Sequence, residues 1–212
     1  MRALNSKFYD LPTEKQETII NAAYRVFSEN SYKKAPMSEI AAEANISKSL
    51  LFHYFKNKKA LYLFLYEYGL EKVVKALETE QVFLENDFFD LFLKATRCKI
   101  KFLKQHHFYY RFAIRAYLEQ DPDVAPEIKA INQRGMTIRD ELLSKYSKTT
   151  TFKDGVVTKQ LIKMIQWCSE GMFLEKANQN GFDLDVMEHE FIQMLQFYKK
   201  HFSKGENEHE CN

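Results

Sequence analysis

Lysines and short polar side chains crowd into residues 32–59, YKKAPMSEIAAEANISKSLLFHYFKNKK. No aspartate or glutamate occurs between Glu43 and Glu67, whereas this gap contains four lysines, Lys48, Lys56, Lys58 and Lys59. Lysine ammonium groups bind phosphate oxygens whatever the base sequence, and hydroxyl or imidazole groups form hydrogen bonds to base edges. These side chains indicate nucleic-acid binding if helices hold them close together. Without such helices, a lysine run is equally typical of a helix end that is merely exposed to solvent.

Two short helical patterns meet at a tight turn in this stretch. Pro36 suits the first position of a helix, and Asn45 tolerates the left-handed conformation that ends one. The Ser47 hydroxyl can cap the second helix, and Leu51 and Phe55, four residues apart, form its apolar side. The pattern is that of a helix-turn-helix, in which the second helix enters a DNA groove.

The segment resembles the DNA-binding domain of the TetR family of bacterial transcriptional regulators. The resemblance covers roughly the first 65 residues. Asn45 and Ser49 stand where the family usually has glycine, and Phe52 stands where it usually has tyrosine. The matching elements are an Ile-Ala pair, a turn, a serine, an aromatic group and a lysine-rich exit: Ile40, Ala41, Asn45, Ile46, Ser47, Ser49, Phe52, His53, Tyr54, Phe55, Lys58 and Leu61.

The resemblance implies a role for each polar residue of the segment. We expect Lys48, Tyr54 and Lys58 to contact phosphates, because Phe52 has no hydroxyl to donate. Leu50, apolar and exposed on the second helix, favours contact with thymine methyl groups. The predicted DNA-binding residues are Ser38, Ser47, Lys48, Ser49, Leu50, His53, Tyr54 and Lys58.

Composition predicts an all-α chain with two parts. The 212 residues are 45% apolar, enough for a small and a larger core, and only 6 glycines and 4 prolines leave room for long helices. Residues 1–60 carry a net charge of +4 and the remainder −2. We predict a three-helix helix-turn-helix DNA-binding domain at 1–57, a larger helical ligand-binding and dimerisation domain at 58–203, and a polar, frayed tail at 204–212.

Apolar periodicity predicts where the long helices lie. Thr13 and Gln16 have the spacing of a capping box, which places the start of the first one. The predicted helices cover about 13–29, 58–80, 86–104, 107–119, 123–146, 154–179 and 184–203.

The last two helices carry apolar residues on and beyond a single stripe, which suggests more than one packing partner. In the resembled family these helices form a four-helix bundle with a second subunit, and a two-fold dimer suits a palindromic site. The alternative is that the extra residues thicken an intrachain core. The residues predicted for dimerisation are Leu161, Ile165, Met172, Met187, Phe191, Met194, Leu195 and Tyr198.

The middle of the chain, residues 88–117, is rich in phenylalanine and tyrosine. The resemblance implies a pocket here for a small-molecule effector, although a single aromatic at helical spacing is more often core. Whether the region is packed or hollow stays open. Arg111 and Arg115, one turn apart, are candidates for orienting a polar or anionic ligand. The predicted ligand-binding residues are Phe92, Phe102, Tyr110, Arg111, Arg115, Met164, Trp167 and Cys168.

Catalytic and metal sites find little support in the sequence. His106 and His107 are adjacent and point apart on a helix, and His209 and Cys211 belong to the tail without a closed ligand set. No phosphate-binding glycine loop or nucleophile elbow occurs. We expect no enzyme, no metal and no cofactor.

The chain has no apolar run of the roughly 20 residues that span a membrane and no signal peptide, so we expect a cytoplasmic protein without a membrane partner.

These features favour a transcriptional regulator, a repressor by resemblance. We expect it to bind a double-stranded, palindromic DNA operator as a homodimer and to be released by a small molecule held in the C-terminal domain. The alternative is an all-helical ligand carrier or protein-interaction module without a specific DNA target.

Overall fold

The structure, a computed structural model, describes residues 6–144, 146, 152–177 and 183–204, without the side chains of 107, 142, 176 and 177. A one-turn 3-10 helix, Val82–Leu84, lies between the fifth and sixth α-helices. The α-helices are α1 (Ser6–Tyr9), α2 (Thr13–Glu29), α3 (Met37–Glu43), α4 (Lys48–Phe55), α5 (Lys58–Thr79), α6 (Phe88–Gln105), α7 (His107–Tyr117), α8 (Ala125–Ser144), α9 (Thr158–Ala177) and α10 (Leu184–Phe202).

The predicted all-α fold and its long helices are confirmed, with ends that differ by a few residues. Sequence periodicity did not predict α1 or the 3-10 turn, because both are too short to show a repeat. The predicted capping box is wrong. Helix α2 begins after Pro12 without a side-chain cap, and the Gln16 amide instead donates to the Leu11 carbonyl at 2.8 Å. In the described part of the chain, no helix combines the length and apolar character that a bilayer crossing demands.

The chain divides into two compact units. The first contains residues 1–75 and 103–135, and the second contains 76–102 and 136–212. Helices α5, α6 and α8 each have residues in both units. The functional division near residue 57 stays a prediction.

Aromatic rings from α2, α5 and α7 form the centre of the first unit. The Phe27 ring lies 4.9 Å from that of Tyr62, and the Tyr62 ring lies 5.2 Å from that of Phe112, both edge to face. The buried Tyr24 hydroxyl donates to the Leu65 carbonyl at 2.9 Å. These contacts hold α2 against α5 and α7, since edge-to-face pairs add to the burial of large apolar rings.

A second aromatic cluster lies at the start of α6 in the second unit. The Phe88 ring packs edge to face on Phe89, Tyr146 and Phe152, with centroid distances of 5.1, 5.7 and 5.2 Å. Lys199 of α10 adds an ion pair to Asp90 at 2.8 Å. Together these contacts tie α10 and the segment before α9 to the first turns of α6.

Gly69 of α5 allows the Tyr109 ring of α7 to lie against the α5 backbone, where a Cβ would overlap the ring. We predict that Gly69→Ala lowers the free energy of unfolding by about 1–3 kcal/mol, because this core is already filled. The matched control is Gly135→Ala on α8, where a Cβ meets nothing within 4 Å, and we expect a gain of up to about 1 kcal/mol. Urea unfolding followed by far-UV circular dichroism measures both variants. A Gly69→Ala protein as stable as the wild type would contradict this packing.

Candidate nucleic-acid interface

The turn between α3 and α4 has the geometry of a helix end stopped by a left-handed residue. Asn45 has φ 53°, its N–H donates to the Ala42 carbonyl at 3.0 Å, and the Ile46 N–H donates to the Ala41 carbonyl at 2.9 Å. The predicted role of Asn45 is therefore confirmed. Pro36 was predicted to be the first residue of this helix, but α3 begins one residue later, at Met37.

Ser47 begins α4 as predicted. Its hydroxyl oxygen accepts a hydrogen bond from the Leu50 N–H at 3.1 Å, which satisfies one of the free donors at the helix start. Leu51 and Phe55 are buried on one side of α4. The turn and the cap together fix which side of α4 is exposed.

Ser49 and His53, four residues apart, lie on that exposed side. Lys48 and Ser38 are also exposed, and Leu50 is half-buried at the edge. The Lys48 ammonium lies over the Phe52 ring, 5.9 Å from its centroid. Short polar groups at the centre and a cation at the rim are suited to base edges and phosphates respectively, but base contact by these residues stays a prediction.

Tyr54 lies differently from what we expected. Its side chain is only 8% exposed, and its ring packs near Phe8 with a centroid distance of 6.3 Å. The residue follows the buried Leu51 by three positions, so helical geometry turns it inward. The structure therefore favours a core role for Tyr54 over a phosphate contact.

Lys58 also has a different environment from the predicted one. Its ammonium donates to the carbonyls of Tyr32, Lys33 and Ala35 at 3.0, 2.9 and 3.0 Å. An ammonium has three donors, and here three carbonyls of the segment before α3 accept from it. We therefore infer that Lys58 positions this segment, which carries α3, rather than binding a phosphate itself.

The acidic residues of α3 are neutralised within the domain. The Arg25 guanidinium of α2 pairs with Glu43, with Glu39 at 2.9 Å and with Glu29 at 2.9 Å. Hydrogen bonds to Glu43 and then Glu39 raise the pKa of Arg25 further above its already high value. Positive charge on exposed lysines next to the two helices remains, from Lys33, Lys34 and Lys56 as well as Lys48. Sequence reasoning did not assign the first two, whose place beside α3 depends on the fold.

The residues predicted to bind a ligand do not share one environment. In the first unit, Tyr110 is buried, whereas Arg111 and Arg115 are exposed and lie away from the apolar side of α7. In the second unit, Phe92 and Phe102 of α6 are half-buried. Cys168 of α9, also half-buried, lies 3.3 Å from the Tyr198 hydroxyl, and this contact raises the pKa of Tyr198 to about 12.

Met164 and Trp167 of α9 are exposed, and Trp167 keeps 63% of its surface accessible. A ring that faces outward is poorly placed to line an intrachain pocket. The structure instead makes these two residues candidates for contact with another molecule.

The residues predicted for dimerisation separate into two groups. Leu161, Ile165, Phe191, Leu195 and Tyr198 are buried in the second unit, as the intrachain alternative expected. Met172, Met187 and Met194 are half-buried. Periodicity identified the apolar stripe that faces the core, but it could not indicate which residues outside the stripe stay exposed.

Two exposed apolar residues of α10 are not among the residues predicted for dimerisation. Val186 and Phe197 are exposed and lie eleven residues apart, three helical turns, and therefore on the same side of α10. Among the described residues, no three histidine, cysteine or carboxylate side chains come together as metal ligands. His209 and Cys211 lie outside the described residues.

Residues 19–64 match the family model for bacterial regulatory proteins of the tetR family. Over 187 residues the chain is 24% identical to the fatty acid metabolism regulator protein of Bacillus subtilis strain 168, covering 84% of this chain and 91% of that protein.

Two solved structures show the same fold. A TetR family transcriptional regulator from Chloroflexus aurantiacus is 16% identical with a TM-score of 0.71, covering 94% of this chain and 98% of that one. The transcriptional regulator FadR from Bacillus subtilis, in complex with stearoyl-CoA, is 19% identical with a TM-score of 0.65, covering 84% and 96%. The capped and exposed α4 and the lysines around it lie within the residues that match the tetR family model, so this part of the chain is a helix-turn-helix segment of the tetR type, and the chain shares the fold of the two solved regulators.

Proposed function

We propose that this protein represses transcription by binding a palindromic operator as a homodimer, and that a long-chain fatty acyl compound releases it. The exposed side of α4 carries the proposal. Ser47 and Asn45 fix the orientation of α4, and Ser49 and His53 face outward from it. Residues 44–66 contain no carboxylate that would repel the phosphate backbone.

Exposed apolar residues on the last two helices support the homodimer. Trp167 and Met164 lie one turn apart on α9, and Val186 and Phe197 share one side of α10. Leaving this apolar surface in water is costly, and a second copy that covers it recovers the free energy of burial. Two-fold symmetry then sets the two α4 helices on successive turns of a palindromic site.

The relatives and the rings of α6 support the proposed class of effector. The Bacillus subtilis relative is named a fatty acid metabolism regulator protein, and the similar FadR structure contains stearoyl-CoA. Phe92 and Phe102 of α6 are half-buried, unlike the fully packed Phe88 and Phe89. Partly exposed rings on an otherwise apolar side are suited to contact with an acyl chain.

Selection from random duplexes tests the proposed function. We expect the purified protein to enrich a palindromic consensus, and stearoyl-CoA to weaken binding to that consensus by at least about tenfold, the usual scale of such coupling. Leu50→Ala should reduce the preference for thymine at one position of each half-site. Gel-shift titrations measure all three effects. Absence of any enriched sequence would instead favour the ligand-carrier alternative.

Substitutions of Lys48 and Lys58 distinguish a lysine that binds phosphate from a lysine that supports the fold. Lys48→Ala should weaken binding to operator and random DNA alike and reduce the slope of log affinity against log salt by about 1. Lys58→Ala should lower the free energy of unfolding by about 1–3 kcal/mol, because three carbonyls lose a charged donor. Binding titrations at several salt concentrations and urea unfolding measure the two effects. If Lys58→Ala flattens the salt slope at unchanged stability, Lys58 binds phosphate after all.

Phe197→Arg tests the dimer surface. This side chain is 56% exposed, so the change should spare the core, yield monomers in sedimentation velocity and weaken operator binding. The matched control is Ile138→Arg on α8, which is also 56% exposed but does not belong to α9 or α10. We expect the control to stay dimeric. A dimeric Phe197→Arg protein would point to a different interface.

A further inference from the structure

The segment between α2 and α3, residues 30–36, is held from two sides. On one side the Lys58 ammonium donates to three carbonyls of this segment. On the other side the Tyr32 N–H donates to Glu119 Oε2 at 3.1 Å. Glu119 lies 87 residues further along the chain, between α7 and α8. Because the segment leads directly into α3, which packs against α4, both contacts bear on the orientation of these two helices.

Both oxygens of the Glu119 carboxylate are engaged. Oε1 accepts from the N–H groups of Gln120 and Asp121 at 3.0 Å each, while Oε2 accepts from Tyr32. One side chain thus satisfies three backbone donors, two in its own segment and one next to α3. An ionised carboxylate suits this task, because it is an acceptor with about four lone-pair sites and forms stronger hydrogen bonds than a neutral group.

The segment that carries Glu119 is itself well anchored. Val124 is completely buried, and its N–H donates to the Asp121 carbonyl at 3.0 Å. Further on, Lys59 of α5 pairs with Glu127 in the first turn of α8 at 2.5 Å. All of these residues belong to the first compact unit. An acceptor on such a support restricts the position of the N–H that it binds.

The negative charge of Glu119 and its hydrogen bond have opposite effects on DNA binding. Burial and then the carboxylates of Asp123, Asp121 and Glu119 raise the pKa of Tyr32, so several negative charges lie near this segment. A carboxylate near the DNA-binding helices repels phosphates, and its removal should strengthen binding to any duplex. Removal of a carboxylate that orients α3 and α4 should instead weaken binding to the operator. The sign of the change therefore distinguishes the two roles.

We propose that Glu119 is a positioning residue for DNA binding: its hydrogen bond to the Tyr32 N–H holds α3 and α4 in the orientation that fits the operator. This inference rests on the proposed operator binding. Without the bond, the segment before α3 gains alternative positions, and the orientation that binds the operator is less populated. The loss falls on operator DNA, whose base edges must meet α4. It spares random DNA, which exposed lysines bind through phosphates.

Gel-shift titrations of Glu119→Ala and Asp121→Ala test the proposal, with the enriched operator duplex and a random duplex of the same length as probes. Glu119→Ala should bind the operator about tenfold more weakly, the scale of one hydrogen bond to a charged acceptor, and the random duplex at least as tightly as the wild type. Asp121→Ala is the matched control, because its carboxylate also lies near Tyr32 but accepts from the Asp123 N–H of its own segment at 3.0 Å. We expect the control to bind both duplexes at least as tightly as the wild type.

Glu119→Asp separates the position of the carboxylate from its charge. An aspartate can still accept from the N–H two residues on, as Asp121 does from Asp123, but it is one methylene too short to reach Tyr32 as well. Random-duplex affinity should therefore stay unchanged while operator affinity falls. Amide hydrogen exchange measured by NMR should show faster exchange of the Tyr32 N–H than in the wild type, even if Glu119→Ala folds poorly.

Three results would overturn the inference while the operator enriched by the wild type leaves the proposed function in place. These are unchanged or tighter operator binding by both Glu119 variants, an equal loss on operator and random duplexes or in Asp121→Ala, and a Tyr32 amide that exchanges at the wild-type rate in Glu119→Asp. If selection enriches no sequence at all, operator binding fails, and the inference fails with it.

Discussion

The packing of aromatic rings between α2, α5 and α7 is the constraint on which the DNA-binding region depends. Phe27 and Phe112 each contact Tyr62 edge to face and lie tilted against each other. Helix α2 then packs against α3, which in turn packs against α4. The missing Cβ of Gly69 lets Tyr109 approach α5 within the same cluster. Because such a core has few alternative packings, the position of α2 and the direction of α4 are fixed together.

Polar contacts also fix the position of the segment that leads into α3. Three carbonyls of residues 32–35 accept from the Lys58 ammonium, and the Tyr32 N–H donates to the Glu119 carboxylate at 3.1 Å. Lys59 pairs with Glu127 at the start of α8. The start of α5 and the segment that joins α7 to α8 therefore both hold the DNA-binding region. A ligand that shifts α7 or α8 would act on α3 through these contacts.

The sequence predicted the features that depend on local chemistry. The long helices follow from 3.6-residue periodicity with few glycines and prolines, and Asn45 and Ser47 behave as their side chains dictate at helix ends. The features that the sequence did not predict depend on contacts between residues far apart in the chain. The acceptors of Lys58 lie 23 to 26 residues away, and the burial of Tyr54 requires Phe8 of α1, a helix too short to show a pattern.

Exposure was the hardest property to infer. The resemblance implied a place for Trp167 in an effector pocket, yet its ring is largely exposed on α9. So large an exposed apolar ring is unusual, and it marks the surface that we propose for a second copy.

Release by an effector requires coupling between effector binding and DNA binding, and thermodynamic linkage makes that coupling measurable from both sides. The most direct measurement is a pair of titrations: operator affinity with and without saturating stearoyl-CoA, and stearoyl-CoA affinity with and without saturating operator. We predict that each ligand weakens the other by the same factor, at least about tenfold. A factor of one in both titrations would contradict a regulator released by this class of effector.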